Sequence, residues 1–332
     1  MLLPTAVNLD MPTFDFSPLP TSAQVEEIAT WLARANFKVV RPLLPRDCFA
    51  TEPNSDKLIT VAILDTETTG TDPATDKIIE LGMVLVEVNR ESGQAYRVLT
   101  TFNELEDPGM AISPESTHIH NITDEMVAGK RIDDDEVERL LEEVSLVVAH
   151  NASFDRPFVE KRFPIFSDKA WACSLRQVPW SDEGIGSAKL EFLAYRFGFH
   201  YTGHRASTDC HALLEVLQES LPISGTKAMQ SLLVNSSEPE VQVAALGAAF
   251  ESKDLLRERE YRWNPGKKVW AKGIPQRHVN DEVAWLSAFV YGGRPFELEH
   301  ELLTAMNRYS YRAGERQTVH YPNAGQIGGK HE

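Results

Sequence analysis

The sequence predicts an α/β domain organised on a mixed sheet, followed by a small α+β module toward the C-terminus. Three observations predict it. Apolar, β-branched runs succeed one another from Leu58, as LITVAILDTET, KIIELGMVLVEV and YRVLTTFNEL, and read as three meandering strands. Helical periodicity then alternates with one short buried strand, SLVVAH. Past Phe250 a helix, a hairpin and a closing helix follow in quick succession, as in a separate small unit.

Taken in order, residues 1–57 are an N-terminal arm and helix. Residues 1–20 are proline-rich and patternless, which predicts an extended arm, whereas Thr21–Phe37 sets Val25, Ile28, Ala29, Leu32 and Ala33 on one helical stripe. Pro42, Pro45 and Pro53 then break the chain. Residues 58–222 form the main domain, with the polar TGTDPATD as the turn between its first two strands. The segment DDDEVERLLEEV is a helix, and its acidic run Asp133–Glu136 suits the positive end of that helix. SLVVAH leads into a helix from about Ser153 to Phe163, with Pro157 placed in the first turn, where its missing N–H costs nothing. Two more helices are expected over Ala188–Phe197 and Ala206–Leu221, the second striped by Cys210, Leu213, Leu217 and Leu221. LPISGTK marks a boundary, residues 223–249 read as a helical connector, and residues 250–306 as the C-terminal module. That module comprises the helix SKDLLRERE, the hairpin YRWNPGKKVWAK turning about Asn264–Lys267, and the closing helix DEVAWLSAFVY. The polar, Gly-rich residues 307–332 are expected to be disordered.

A hydrophobic content of 42% and a charged content of 25% belong to a soluble globular protein. No apolar run approaches bilayer length, and MLLPTAVNLDMP lacks the basic region of a signal peptide, so no membrane partner is expected. Three widely spaced cysteines, Cys48, Cys173 and Cys210, predict reduced thiols in a cytoplasmic protein. The net charge of −16 is unevenly placed: residues 253–332 carry 13 Lys+Arg against 10 Asp+Glu, leaving 20 against 39 for residues 1–252. Such an acidic body suits an enzyme that holds its substrate through bound cations, and argues against gripping long duplex by counterion release.

The chemistry begins with Asp65 and Glu67. Two apart at the end of a buried strand, they face the same side and converge. Paired carboxylates repel unless something positive lies between them. Asp155 follows SLVVA at the start of a helix; His204, on a loop, and Asp209, in the first turn of the next helix, can face the same cavity. Four acidic residues from three segments, each at the end of an element, form the set that a pair of hard divalent cations needs.

The segments VAILDTETTG, VVAHNASFD and GHRASTD resemble the three signature segments of the DEDD exonuclease superfamily, in its histidine-containing DEDDh subgroup. That family includes the proofreading epsilon subunit of bacterial DNA polymerase III. PESTHIHNITDEMV resembles the family's His-Gly-Ile-Thr segment, with Asn121 where many relatives have glycine. The resemblance covers about residues 58–221. It implies an RNase H-like fold and a metal-dependent 3′-to-5′ exonuclease that releases nucleoside 5′-monophosphates with two Mg²⁺ or Mn²⁺ ions. In that reading Asp65, Glu67 and Asp209 hold the ion that carries the attacking water, Asp65 bridges to the second, and Asp155 supports the second. His204 is the general base, since an imidazole accepts protons near neutrality. Thr68 and Thr69, with Glu67, match positions bordering the terminal nucleotide, and His120 and Asn151 are further candidate substrate contacts. The implied partner is a single-stranded or frayed 3′ end of DNA, with RNA open, and a polymerase or repair partner is also open.

Other residues take plainer readings. His118, His120, His200 and His211 are loop or surface histidines rather than ligands of a hard cation. His150 and Asn151 shape the turn before Asp155, and Phe154 and Phe158 are core residues at helical spacing. KDLLRERE-YRWNP-GKKVWAK is weakly similar to a small module found beside primases and other DNA-processing enzymes, with Glu260 where its relatives often have glycine. Trp263, Trp270 and Trp285 are either the core of that module, the favoured reading, or stacking platforms with Arg262, Lys267, Lys268 and Lys272 meeting phosphates. Two alternatives stand beside the nuclease: a polymerase-bound proofreading subunit, for which Gln230–Leu233 is a faint clamp-binding peptide, and a catalytically silent binding scaffold.

Overall fold

The computed structural model describes residues 21–51, 57–312 and 314–322. The expected arm of residues 1–20, Pro53 and the end of the expected tail lie outside the described residues. α1 (Ser22–Arg34) opens on a capping box between Thr21 and Gln24. β1 (Arg41–Pro42) follows. β2 (Leu58–Thr68), β3 (Ile78–Asn89) and β4 (Ala95–Leu105) form the antiparallel meander that the sequence predicts. Two short helices, α2 (Pro114–His120) and α3 (Asp124–Val127), were not expected, being too short to show a helical period. α4 (Asp134–Leu141) is capped by Asp133, whose carboxylate accepts from the Asp135 and Glu136 amides.

β5 (Val144–Ala149) lies parallel to β2 and leads into α5 (Ala152–Arg162); β6 (Trp171–Cys173), parallel to β5, completes the order β4-β3-β2-β5-β6. α6 (Ser174–Gln177), α7 (Leu190–Phe197), β7 (Phe199–His200) and α8 (Ala206–Gln218) follow, and β1 pairs with β7. Pro157 stands inside α5, not in its first turn, because the helix starts at Ala152 behind Asn151. This mixed sheet flanked by helices is the RNase H-like fold. β2 is central and buried on both sides: Val61 and Ile63 enter one core with α8, while Ala62 and Leu64 enter the other with α4 and α5. Burial of Val61, Ile63 and Leu64 contributes about 1.5–3 kcal/mol each, and burial on both faces is why the strand reads as continuously apolar rather than alternating.

α9 (Ala228–Ser237) leads to β8 (Glu240–Ala245), α10 (Lys253–Glu258), β9 (Arg262–Asn264), β10 (Val269–Pro275), α11 (Val279–Trp285), β11 (Phe296–Leu303) and β12 (Arg316–Tyr321). These strands make a second, wholly antiparallel sheet in the order β12-β11-β8-β10-β9. Two expectations are corrected here. The connector of residues 223–249 contains β8, the central strand of this sheet, so it is not wholly helical. The segment after Asn307, expected to be disordered, supplies Arg308, only 2% exposed, and the edge strand β12. β12 is polar because one side of an edge strand faces water; its pairing with β11, which composition does not encode, orders it. The module's core centres on Leu256, Tyr261, Leu286 and Leu298, with Trp270 and Trp285 half-buried at its margin and Trp263 49% exposed.

The module is fastened to the main domain through a fully buried guanidinium. Arg156 on α5 pairs with Glu160 and donates to the carbonyls of Ala305, Met306 and Arg308, in the turn between β11 and β12. The Trp171 amide on β6 also donates to Ala305 O. No helix among the described residues is long and apolar enough to cross a membrane. The three cysteines are free thiols.

Candidate active site

The end of β2 delivers Asp65 and Glu67 to one side, as the two-residue period requires. α8 brings Asp209 to them in its first turn, so that Asp65, Glu67 and Asp209 each offer a ligand oxygen within 4.8 Å of the others. The approach depends on Gly82 of β3: a Cβ there would sit 2.5 Å from the Ala206 carbonyl carbon and the Ser207 nitrogen. Asp155, on the first turn of α5 and 3% exposed, lies beside the trio. Its Oδ1 accepts from the Thr66 amide at 3.1 Å and the Thr66 hydroxyl at 2.9 Å. Asp209 accepts from Tyr201 Oη at 3.1 Å and from the Arg205 amide at 3.1 Å.

Burial, followed by the charges of Asp155, Asp209 and Glu67, raises the Asp65 carboxyl well above the usual carboxylate range. Burial, then Asp209 and Glu80, pushes Glu67 up to about 8. Asp155 rises to about 7 through burial, against the hydrogen bonds from Thr66 that lower it. Asp209 is also raised by burial, against the bonds from Arg205 and Tyr201. The charge of Arg205 relieves Glu67 least of all the causes acting on it, because its guanidinium is committed to Glu80 at 2.8 Å. A set of buried oxygens that makes no ion pair with a protein cation among the described residues fits hard divalent ions.

A cleft of about 410 Å³ opens over these carboxylates. His204 lines it, with a side chain 51% exposed and Nε2 3.8 Å from Glu191 Oε1. Thr68, His120 and Asn151 also line the cleft. Thr69 does not: it is 4% exposed, and its hydroxyl donates to Asp76 Oδ1 and accepts from the Lys77 amide, so it holds the turn rather than the cleft wall. His120 is not the loop or surface residue expected. It is 3% exposed at the end of α2; its Nδ1 accepts from the Ile122 amide, and its Nε2 has no hydrogen-bond partner among the described residues. Burial lowers its pKa, which favours the neutral ring. His150 bonds Ser174 Oγ and the Ala188 carbonyl, in keeping with a turn-shaping role.

Sequence reasoning missed three contributors. Glu80 on β3, fully buried, lies opposite Glu67 in the register and bonds Arg205, Asn103 and the Ala206 amide. Burial opposes its charge, but those bonds prevail and lower its pKa. Tyr201 orients Asp209, and Phe154, expected in the core, is half-buried and lines the cleft 5.1 Å from the Phe158 ring. A buried Glu in an apolar strand, KIIELG, was the available signal for Glu80.

The exonuclease family of the RNase T type matches residues 62–217. The DNA polymerase III subunit epsilon of Treponema pallidum is 30% identical over 168 residues, spanning 46% of this chain and 72% of that protein. The PolC-type DNA polymerase III of Thermotoga maritima is 38% identical over 102 residues, 30% of this chain but 7% of that protein, so this chain matches only a small part of the polymerase. Among solved structures, exonuclease X in complex with 5′-overhanging duplex DNA is 23% identical, covering 53% of this chain and 99% of that one with a TM-score of 0.38. With a family match over its main domain and a relative aligned across most of its own length, the chain belongs to the exonuclease family that includes the polymerase III epsilon subunit.

Proposed function

We propose that this protein is a metal-dependent 3′-to-5′ exonuclease that shortens single-stranded or frayed 3′ ends of DNA and releases nucleoside 5′-monophosphates. The observation that carries this reading is the meeting of Asp65, Glu67 and Asp209 within 4.8 Å, their carboxyls all raised, beneath a cleft with a histidine at its rim. Two Mg²⁺ or Mn²⁺ ions, held by Asp65, Glu67 and Asp209 with Asp155, would neutralise charge on the phosphodiester and acidify water. In this reading His204 takes the proton: its half-exposed ring lines the cleft, with Glu191 Oε1 3.8 Å from Nε2. Thr68, Asn151 and His120 line the cleft as candidate polar contacts to the terminal nucleotide, and Phe154 and Ile119 as apolar ones. A cleft of about 410 Å³ suits one strand end better than an intact duplex.

The test uses 5′-labelled single-stranded DNA and RNA with Mg²⁺, Mn²⁺ or EDTA, comparing the protein with Asp65→Ala. A metal-dependent ladder of shortening products, lost in the variant, is expected, and the faster substrate assigns the sugar preference. Full-length strands under every condition would sink the nuclease reading and favour a silent scaffold. A second reading, a proofreading subunit bound to a polymerase, is supported by the relative from Treponema pallidum, which is a polymerase III subunit. The candidate clamp peptide Gln230–Leu233 does not support it, since those residues lie within α9 with Leu232 fully buried. Co-elution with a replicative polymerase core in gel filtration would support the second reading.

A further inference from the structure

We propose that the C-terminal module carries a second nucleic-acid site, a stacking surface for the bases of a single strand, separate from the catalytic cleft. Two aromatic–arginine stacks flank the end of α10. In the first, Trp263 and Trp270 lie opposite each other on β9 and β10, ring centroids 5.6 Å apart, and the Arg257 guanidinium covers Trp270 at 6.0 Å. In the second, Trp285 and Phe289 are 5.7 Å apart, and the Arg259 guanidinium covers Trp285 at 4.6 Å. Arg257, in the last turn of α10, and Arg259, its C-cap, point to different sides of the helix end, so one stack lies on each side of it. The outer ring of each stack faces water: Trp263 is 49% exposed and Phe289 60%.

A small domain spends its large apolar residues on its core, and this one has its core in Leu256, Tyr261, Leu286 and Leu298. Half of each pair is therefore surplus to stability. An exposed ring beside a guanidinium is what base stacking uses, because every base has a π-face and each phosphate a negative charge. The charge of this surface agrees. Residues 253–289, which hold both stacks, carry eight Lys+Arg and five Asp+Glu, in a chain of net charge −16. Arg259, Lys267, Lys272 and Arg277 spend their charge on ion pairs, whereas Arg262 and Lys268, flanking Trp263 on the hairpin, make none among the described residues. An acidic catalytic body gives a strand little to hold beyond its terminal nucleotides, and this surface would retain the strand upstream of the end being cut.

Because Arg156 buries its guanidinium against the 305–308 turn, truncation is a poor test, and point variants of the full chain are the right one. Binding of fluorescent oligo-dT and oligo-rU is measured by anisotropy in EDTA, where no cleavage occurs, so the result does not depend on the catalytic reading. Trp263→Ala with Phe289→Ala is expected to weaken binding roughly tenfold or more, and Arg262→Glu with Lys268→Glu to flatten the salt dependence. Trp263→Phe, which keeps a ring, should restore most of the affinity and exclude a folding defect. Oligo-dT should also quench the tryptophan emission of the parent protein more than that of Trp263→Phe. The relative losses for dT and rU show which strand the surface takes. Affinity and salt dependence unchanged in both double variants would overturn the proposal and leave this face to a protein partner.

Discussion

The four acidic side chains of the cleft are costly to the protein that holds them. Because the folded carboxyls of Asp65 and Glu67 titrate above their unfolded values, the native state binds more protons than the unfolded chain between the ordinary Glu value of 4.5 and about 8. Stability of the metal-free protein is therefore full below that window and falls as pH rises through it. Divalent cations bind the deprotonated set and reverse the loss. The gain in Tm from millimolar Mg²⁺ should accordingly grow between about pH 6 and about pH 8 by thermal denaturation; a gain that shrinks with rising pH would count against this origin. Two other residues carry backbone strain: Asn121 and Glu260 both adopt left-handed backbone, with φ 56° and 70°. Asparagine occupies that region at less cost than glutamate does. Glu260→Gly should stabilise the chain by about 0.5–1 kcal/mol and Asn121→Gly by less, measured as shifts in urea midpoint.

Among elements, the contact of α8 with β3 decides whether the cleft exists. Asp209 reaches Asp65 only because α8 starts against bare backbone at Gly82, while Glu80, two residues before, ties down Arg205 and the Ala206 amide. Gly82→Ala puts a methyl within 2.5 Å of helix backbone, which has no rotamer by which to escape. Overpacking of this kind costs about 1–3 kcal/mol, and shifting the reacting groups by about 1 Å costs on the order of a hundredfold in rate. The variant should therefore fold with a lowered Tm, lose its Mg²⁺-dependent stabilisation, and cleave far more slowly. Full activity with a normal Mg²⁺ response would show that α8 is not set by this contact. The helices here were legible because their stripes are long; α2 and α3 were not, being held by Ser113, Pro114 and loop packing rather than by periodicity.

At the scale of the molecule, the C-terminal module and the nuclease domain are joined at α5, the helix that carries Asp155. Arg156, the next residue, is wholly buried and depends on carbonyls from the 305–308 turn. Ending the chain at Leu303 would leave that guanidinium with Glu160 alone, a loss of about 3 kcal/mol by the cost of unpaired buried charge. Such a truncation should melt earlier and lose activity through Asp155, whereas Arg156→Met in the truncated chain should recover part of the Tm. Equal melting of the full-length and truncated proteins would mean that the two units are energetically independent.

The sequence by itself determined the meander and the buried strand between helices, because strand and helix periods are properties of neighbouring residues, and its motif segments singled out Asp65, Glu67, Asp155, His204 and Asp209, which the fold brings to one cleft. What only the tertiary structure decided depends on partners distant in the chain. Glu80 is buried because Arg205 comes to meet it, and His120 turns inward because α2 closes over the cleft. Thr69 is withdrawn by Asp76, β8 becomes a central strand, and β12 is ordered by β11. Arg156 can be buried because the other end of the chain supplies its acceptors. A polar group's burial is permitted only by the partner that satisfies it, and no local pattern names that partner.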